Sequence, residues 1–325
     1  MTESDNYTQS GFGHDSEIPT DTIPALVLMV FILVINSGVI LLISCYSNLR
    51  TTSNVILTSL AVSDFLVGFV GIPLIVVCSS TYSSSVCLSS NIFFTFISLS
   101  TVLHITVMTG DRYIYIMWAL RYRDIVHRGR VLAVIASVWF VSLTSLVRLS
   151  WTFNYSIHTA EEDLALVHEK ETTYLLFNII VFFITPLVVM VALDAHMLLL
   201  LRKQCQRIAR ENLPAEFMKR EKKMQRRQRR AVLTCVLLLI LYVIFWLPYF
   251  ILELMLHNHP TVPEQLVTTI YYLRLCPALF NPLAYTLRKH DLKRRAKCIL
   301  YKIASYWSND ILRSEEMPLT SLAHV

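Results

Sequence analysis

The chain has 325 residues, of which 54% are hydrophobic and only 16% charged, with a formal net charge of +6. A soluble domain of this length needs a far more polar surface, so composition excludes an ordinary water-soluble globular protein. The basic balance points to an inner-leaflet lipid surface and an intracellular partner, and not to nucleic acid.

Crossing a hydrocarbon core takes about 20 apolar residues at roughly 1.5 Å rise each. In chain order the candidates are Ile23–Tyr46, Val55–Ser79, Val86–Ile116, Val131–Leu149, Thr173–Leu201, Ala231–Leu256 and Val267–Leu287. Each span must satisfy its own backbone hydrogen bonds, which favours helices. Membrane strands would be half as long and would alternate apolar and polar residues, which these stretches do not. The expected fold is an all-α membrane protein, a seven-transmembrane helix bundle over residues 23–287. A tail of residues 1–22 precedes it. An amphipathic helix over 288–302, lying on the inner leaflet, and a cytoplasmic tail of 303–325 follow.

Charge sets the orientation. The first 22 residues hold Glu3, Asp5, Asp15, Glu17 and Asp21 but no Lys or Arg. Arg121, Arg123, Arg128 and Arg130 follow the third span, and a dense run of Lys and Arg from Arg202 to Arg230 separates the fifth from the sixth. Positive loops stay in the cytoplasm, so the N-terminus is expected outside, as in a multi-pass protein of the plasma membrane. No signal peptide precedes the first span, which is expected to direct its own insertion. The sequons Asn6-Tyr7-Thr8 and Asn154-Tyr155-Ser156 then face outward as glycosylation candidates.

The second extracellular loop is expected at Ser150–Thr172, with Glu161, Glu162, Asp163, Glu169 and Glu171. The third intracellular loop is rich in helix formers and is expected to extend its flanking helices. After Tyr285, Arg288, Lys293, Arg294, Arg295 and Lys297 interleave with Leu287, Leu292, Ile299 and Leu300, the pattern of a helix lying on a membrane surface. Cys298 there is either a palmitoylation site or a plain buried thiol.

Short motifs punctuate the spans. Asp111-Arg112-Tyr113 closes the third, and Asn281-Pro282-Leu283-Ala284-Tyr285 closes the seventh. Between and around them stand Asn36, Leu60-Ala61-Val62-Ser63-Asp64, Cys87, Trp139, Pro186 and Phe245-Trp246-Leu247-Pro248. In this order and spacing, over roughly residues 23–302, the chain resembles the rhodopsin-like, class A G-protein-coupled receptors. The resemblance implies a receptor that turns ligand binding into activation of a heterotrimeric G protein, with arrestin and receptor kinases as further partners. No nucleophile–base pair or metal-ligand cluster stands out, so no enzyme activity and no metal site are expected.

The resemblance assigns coupling and activation to Asp111, Arg112, Tyr113, Asn281, Pro282 and Tyr285, and a switch to Trp246, Pro248 and Tyr242. It implies that Arg112 pairs with Asp111 at rest and meets the G protein when freed. The usual additional acid at the foot of the sixth helix is replaced by Gln228, and the fifth-helix tyrosine by Asp194. The first change predicts high ligand-independent activity. The second puts an acid where it could pair with Arg112 or with His196. Pro186, Pro248 and Pro282 each remove a helix hydrogen bond and kink the helix.

An acid deep in an apolar helix costs roughly 2.5–3.5 kcal/mol on insertion scales, so Asp64 is expected to face a polar interior, near Asn36, Thr101 and Asn281. The resemblance implies a sodium ion at Asp64, Thr101 and Asn281; the residues equally allow a hydrated acid without one. The family's further polar positions on the seventh helix are Pro277 and Ala278 here. No other cofactor is expected.

The pocket residues expected from position are Asn91, Phe94, Asn178, Trp246, Glu253, Tyr271 and Arg274, over an apolar floor that adds Tyr249 and Phe250. Phe94 stands where amine receptors hold an aspartate, and Leu275 where visual pigments hold a lysine. The ligand is therefore expected to be a lipid, an anionic small molecule or a peptide. A guanidinium inside a span needs a partner. Arg274 either binds a ligand's carboxylate or phosphate, or pairs internally with Glu253 or Asp64. The resemblance implies a disulfide from Cys87 to the second extracellular loop, but no cysteine lies between Arg148 and Asn178. Cys87 is left to pair with Cys78 or to stay free. A non-signalling seven-span partner that modulates another receptor is the alternative reading. A transporter is disfavoured, because no repeated halves are visible.

Overall fold

The computed structural model describes residues 22–81, 83–150, 161–210, 214–258, 262–288 and 292–298, with Tyr301 and Ser305. The described residues form helices and turns, and no strand occurs among them. The first helix, α1, runs Ile23–Cys45 with Pro24 in its first turn, where a missing N–H costs nothing. The second, α2, covers Thr52–Thr81. Thr51 starts it by accepting from the Asn54 backbone N–H at 3.3 Å. The third, α3, is Ser84–Met117. The fourth, α4, is Arg128–Ser142, continued by a 3-10 turn over Leu143–Arg148.

The fifth crossing, α5, joins the segments Glu161–Asn178, Ile179–Ile184 and Thr185–Arg210 without a break. The sixth, α6, is the 44-residue helix Ala215–Asn258. At 1.5 Å per residue it is about 66 Å long, twice the hydrocarbon thickness, so α5 and α6 project as a basic stalk beyond the bundle. Among the described residues six helices are long and apolar enough to cross a membrane.

The seventh crossing is split into α7, Glu264–Leu275, and α8, Pro277–Arg288. This corrects the expectation of one continuous span over Val267–Leu287. Pro277 offers no N–H, and the chain tightens at the break, with the Cys276 N–H on the Leu273 carbonyl at 3.2 Å. The Asn36 amide bridges to α8 by donating to the Ala278 carbonyl at 2.9 Å. Together α7 and α8 span about 37 Å, enough for one crossing.

One other expectation is corrected. Residues 161–172 lie in helix instead of a loop to Thr172, because their Glu, Ala, Leu and Lys content favours helix. Of the surface helix expected over 288–302, residues 292–298 are described as helical; Leu292 is buried and the Arg295 guanidinium lies 4.9 Å over the Tyr46 ring.

Two prolines leave a signature in α2 and α5. A widened, π-type turn at Val67–Gly71 precedes Pro73, and another at Ile179–Ile184 precedes Pro186. A proline ring clashes with the carbonyl four residues back, and widening the turn relieves it.

Polarity is distributed for a lipid surround. Large apolar side chains point outward, with Phe140 75% and Val34 64% exposed. Polar ones turn inward: Asn36, Ser100 and His104 are fully buried. The Ser59 hydroxyl joins three helices, meeting His104 Nε2 at 2.8 Å and accepting from Trp139 Nε1 at 3.0 Å. Such interhelical hydrogen bonds replace the hydrophobic drive that lipid removes. Helix α3 is central, packed against α2, α4, α5 and α6.

Candidate functional site

Asp111 and Arg112 lie in the last two turns of α3, where it meets α2 and the short helix Tyr122–Ile125. Arg112 Nη2 lies 3.4 Å from Asp111 Oδ2 and also donates to the Ser53 hydroxyl. The other Asp111 oxygen accepts from the Tyr122 hydroxyl at 2.6 Å. Burial, reinforced by the neighbouring Asp111 carboxylate, pushes the Tyr122 phenol well above the usual tyrosine range, so it remains a donor. Tyr113 pairs instead with His196 Nδ1 at 3.0 Å.

Asp194 is 3% exposed, and neither carboxylate oxygen has a hydrogen-bond partner. It pairs with neither Arg112 nor His196, since Arg112 is held by its own helix and α2 while His196 faces Tyr113. Gln228 and Tyr285 are buried on α6 and α8, and the Tyr285 hydroxyl has no partner.

In the middle of the bundle Asn281 donates to Asp64 Oδ2 at 3.3 Å, and Ser63 meets Thr101 at 3.5 Å. Asp64 Oδ1 is buried without a partner. A free carboxylate oxygen with nearby hydroxyls is a donor set suited to a hard monovalent cation. Asp64 and Thr101 would hold it, while Asn281 presents an amide donor to Asp64.

A cavity of about 470 Å³ opens at the opposite end, between α3, α4, α5, α6 and α7. Asn91, Asn178, Trp246, Glu253 and Arg274 line it. Phe94 and Tyr271 back this wall: Phe94 lies 5.5 Å from the Arg274 guanidinium, and the Tyr271 hydroxyl donates to Glu253 at 3.3 Å. Gly71 makes room for Phe94, since a Cβ there would come within 2.8 Å of the ring.

Arg274 is 7% exposed and donates to the Ser98 hydroxyl from Nε at 3.4 Å and Nη2 at 3.1 Å. Its guanidinium stands 4.1 Å over the Tyr249 ring. Among the described residues no ion pair joins it to Glu253 or Asp64, which corrects the internal-pairing expectation.

The chain matches the model of the 7 transmembrane receptor (rhodopsin family) over residues 35–285. This chain belongs to the rhodopsin family of seven-transmembrane receptors. It is 25% identical over 274 residues to adenosine receptor A2a of Canis lupus familiaris, covering 78% of this chain and 65% of that receptor. It is 20% identical to melatonin receptor type 1A of Mus musculus, covering 86% and 80% of the two chains. It is 25% identical to the histamine H2 receptor of Homo sapiens, covering 89% and 82%. The protein is thus a multi-pass membrane receptor and not an enzyme.

Parts of this receptor's cavity were not singled out from the sequence. Arg148 and Glu171 clasp each other across α4 and α5, with Nη2–Oε2 at 2.9 Å and Nε–Oε1 at 3.1 Å. His168 and His257 stack with ring centres 4.4 Å apart, and Thr172 meets His257 Nε2 at 2.7 Å. Periodicity marks such residues only as breaks in an apolar face; their pairing is long-range. Cys78 and Cys87 form a disulfide that ties the end of α2 to the start of α3. Cys298 is exposed. Asn6 and Asn154 lie outside the described residues.

Inside the receptor, Tyr249, Trp246, Tyr242 and Tyr285 share one buried cluster, which connects cavity to Arg112 end. Trp246 packs edge-on to Tyr249 at 6.2 Å, two residues before Pro248 within the same helix.

Proposed function

We propose that the receptor binds a non-aminergic ligand in the 470 Å³ cavity and activates a heterotrimeric G protein at the Arg112 end, from the plasma membrane with its N-terminus outside. The carrying observation is the Arg112 clasp: Asp111 and Ser53 hold the guanidinium within α3 and α2, with no acid from α6. A ligand that shifts α6 through Trp246 then meets no acid on α6 holding Arg112, and high basal activity follows. Phe94 opposite Arg274 supports a ligand without a cationic amine, of the lipid, anionic or peptide class.

Arrestin and receptor kinases would engage the same cytoplasmic face, with Cys298 as a palmitoyl anchor and Asn6 and Asn154 carrying glycans. A sodium ion at Asp64 would tune the resting state. Asp194, an acid facing no partner, favours a second reading, a silent partner that modulates another receptor.

Basal cyclic AMP, measured up and down, and calcium decide between them in cells expressing the full chain or Arg112→Ala. A basal signal lost in the variant supports coupling. Equal silence of both, across G-protein branches, supports the silent partner.

A further inference from the structure

The cavity's charges are arranged by depth. Arg274 sits low, beside the Tyr249 ring at 4.1 Å. Glu253 is one turn further out on α6 than Tyr249, and Tyr271 is one turn further out on α7 than Arg274. The hydrogen bond from Tyr271 to Glu253, 3.3 Å long, holds that acid at the upper level. Higher still, Arg148 is already matched by the two oxygens of Glu171.

A guanidinium has five N–H donors. Those of Arg274 that reach a described acceptor share one neutral hydroxyl, Ser98. The guanidinium carbon stands 4.1 Å over the Tyr249 ring and 5.5 Å over the Phe94 ring. Aromatic faces and a hydroxyl compensate a buried cation less well than an anion does. The Arg274 guanidinium also lines the cavity, within reach of whatever enters it.

We propose that the cavity takes a small organic monoanion. Its carboxylate or sulfate head seats on Arg274, its aromatic or apolar body lies against Trp246, Tyr249 and Phe250, and its outer end donates a hydrogen bond to Glu253. A volume of about 470 Å³ suits a molecule of that size. Glu253 disfavours a second negative charge one turn above the first, which selects against polyanions. This inference rests on the reading of the cavity as the ligand site.

The test is the unfolding temperature of the purified full-length receptor in lipid-containing micelles. The water-soluble probe is 4-aminophenylacetate, with neutral 4-aminophenylacetamide as its control. The lipid-derived probe is laurate, with methyl laurate as its control. At about ten times its dissociation constant the aminoaryl acid should raise the midpoint by about 2 °C, and its amide should not. Arg274→Lys should keep a smaller shift and Arg274→Ala should lose it, while Glu253→Gln should weaken the aminoaryl acid and leave laurate unaffected.

A larger shift from laurate than from the aminoaryl acid would support the head on Arg274 and a lipid source, and would overturn the donor end at Glu253. Equal shifts from acid and neutral control, an acid shift that survives Arg274→Ala, or no shift from either acid overturns the proposal. Should Arg274→Ala fail to fold, Arg274→Lys and Ser98→Ala carry the comparison. No G protein is present, so a receptor that binds without signalling is told apart from one that signals without binding anions.

Discussion

The Tyr242 hydroxyl on α6 donates to the Phe182 carbonyl on α5 at 3.1 Å, and that carbonyl is free because Pro186, four residues on, has no N–H to give it. The same hydroxyl lies 3.1 Å from the Phe183 carbonyl. A helix defect made by one proline is thereby filled by the neighbouring helix, at the level where α6 must move relative to α5.

Tyr242→Phe removes this donor and leaves buried carbonyls unmatched. The expected cost is about 1–2 kcal/mol, which a lowered unfolding temperature would record. Because the bond fastens α6 in the state where Arg112 is clasped, the variant should also raise basal second-messenger output. Lower output from a folded Tyr242→Phe protein would show that the bond serves the active arrangement instead.

Asp194 offers a second test. Burying a carboxylate with both oxygens unmatched is unfavourable. Asp194→Asn should therefore raise the unfolding temperature. If Arg112, once released from Asp111, meets Asp194, the same substitution should cut signalling by several-fold. Stabilisation with unchanged output would leave Asp194 without a part in activation.

The clasp between Arg148 and Glu171 is bidentate but only partly buried, with side chains 23% and 24% exposed. Its contribution to stability should be below about 1 kcal/mol, as a double-mutant cycle over Arg148→Ala and Glu171→Ala would read. A coupling energy well above that would mean that the pair is screened from solvent.

The helical bundle was legible because seven apolar runs and their loop charges are local signals. Pro186 marked one irregular turn in the same way, but the turn before Pro73 was not singled out, and Pro248 and Pro282 stand inside uninterrupted helices. The break at Cys276 was not legible although Pro277 stands beside it, since apolar periodicity runs unbroken through it; the Cys276 N–H on the Leu273 carbonyl reveals the tightened turn. The extra helix over residues 161–172 was missed because its acidic face suits a loop as well as an exposed helix. Arg274 was recognised as needing a partner, but a stack on Tyr249 and Phe94 depends on the relative rotation of α3, α6 and α7, which one strand of sequence does not encode.

Tyr122 provides a pH-dependent test at the Arg112 end. Its phenol is held well above the tyrosine range by burial first and then by the Asp111 carboxylate, to which it donates at 2.6 Å. A group whose folded pKa is raised adds stability that is fully present below its unfolded pKa, about 10 for tyrosine, and lost as pH rises from there toward the folded value. Unfolding temperatures at pH 8 and at pH near 10.5 should therefore fall further apart in the wild type than in Tyr122→Phe. At pH 8 the variant should also release Asp111 Oδ1 to Arg112, tightening the clasp and lowering basal output. An identical pH response in both proteins would mean that Tyr122 ionises as it does in the unfolded chain, and that its bond to Asp111 does not restrain Arg112.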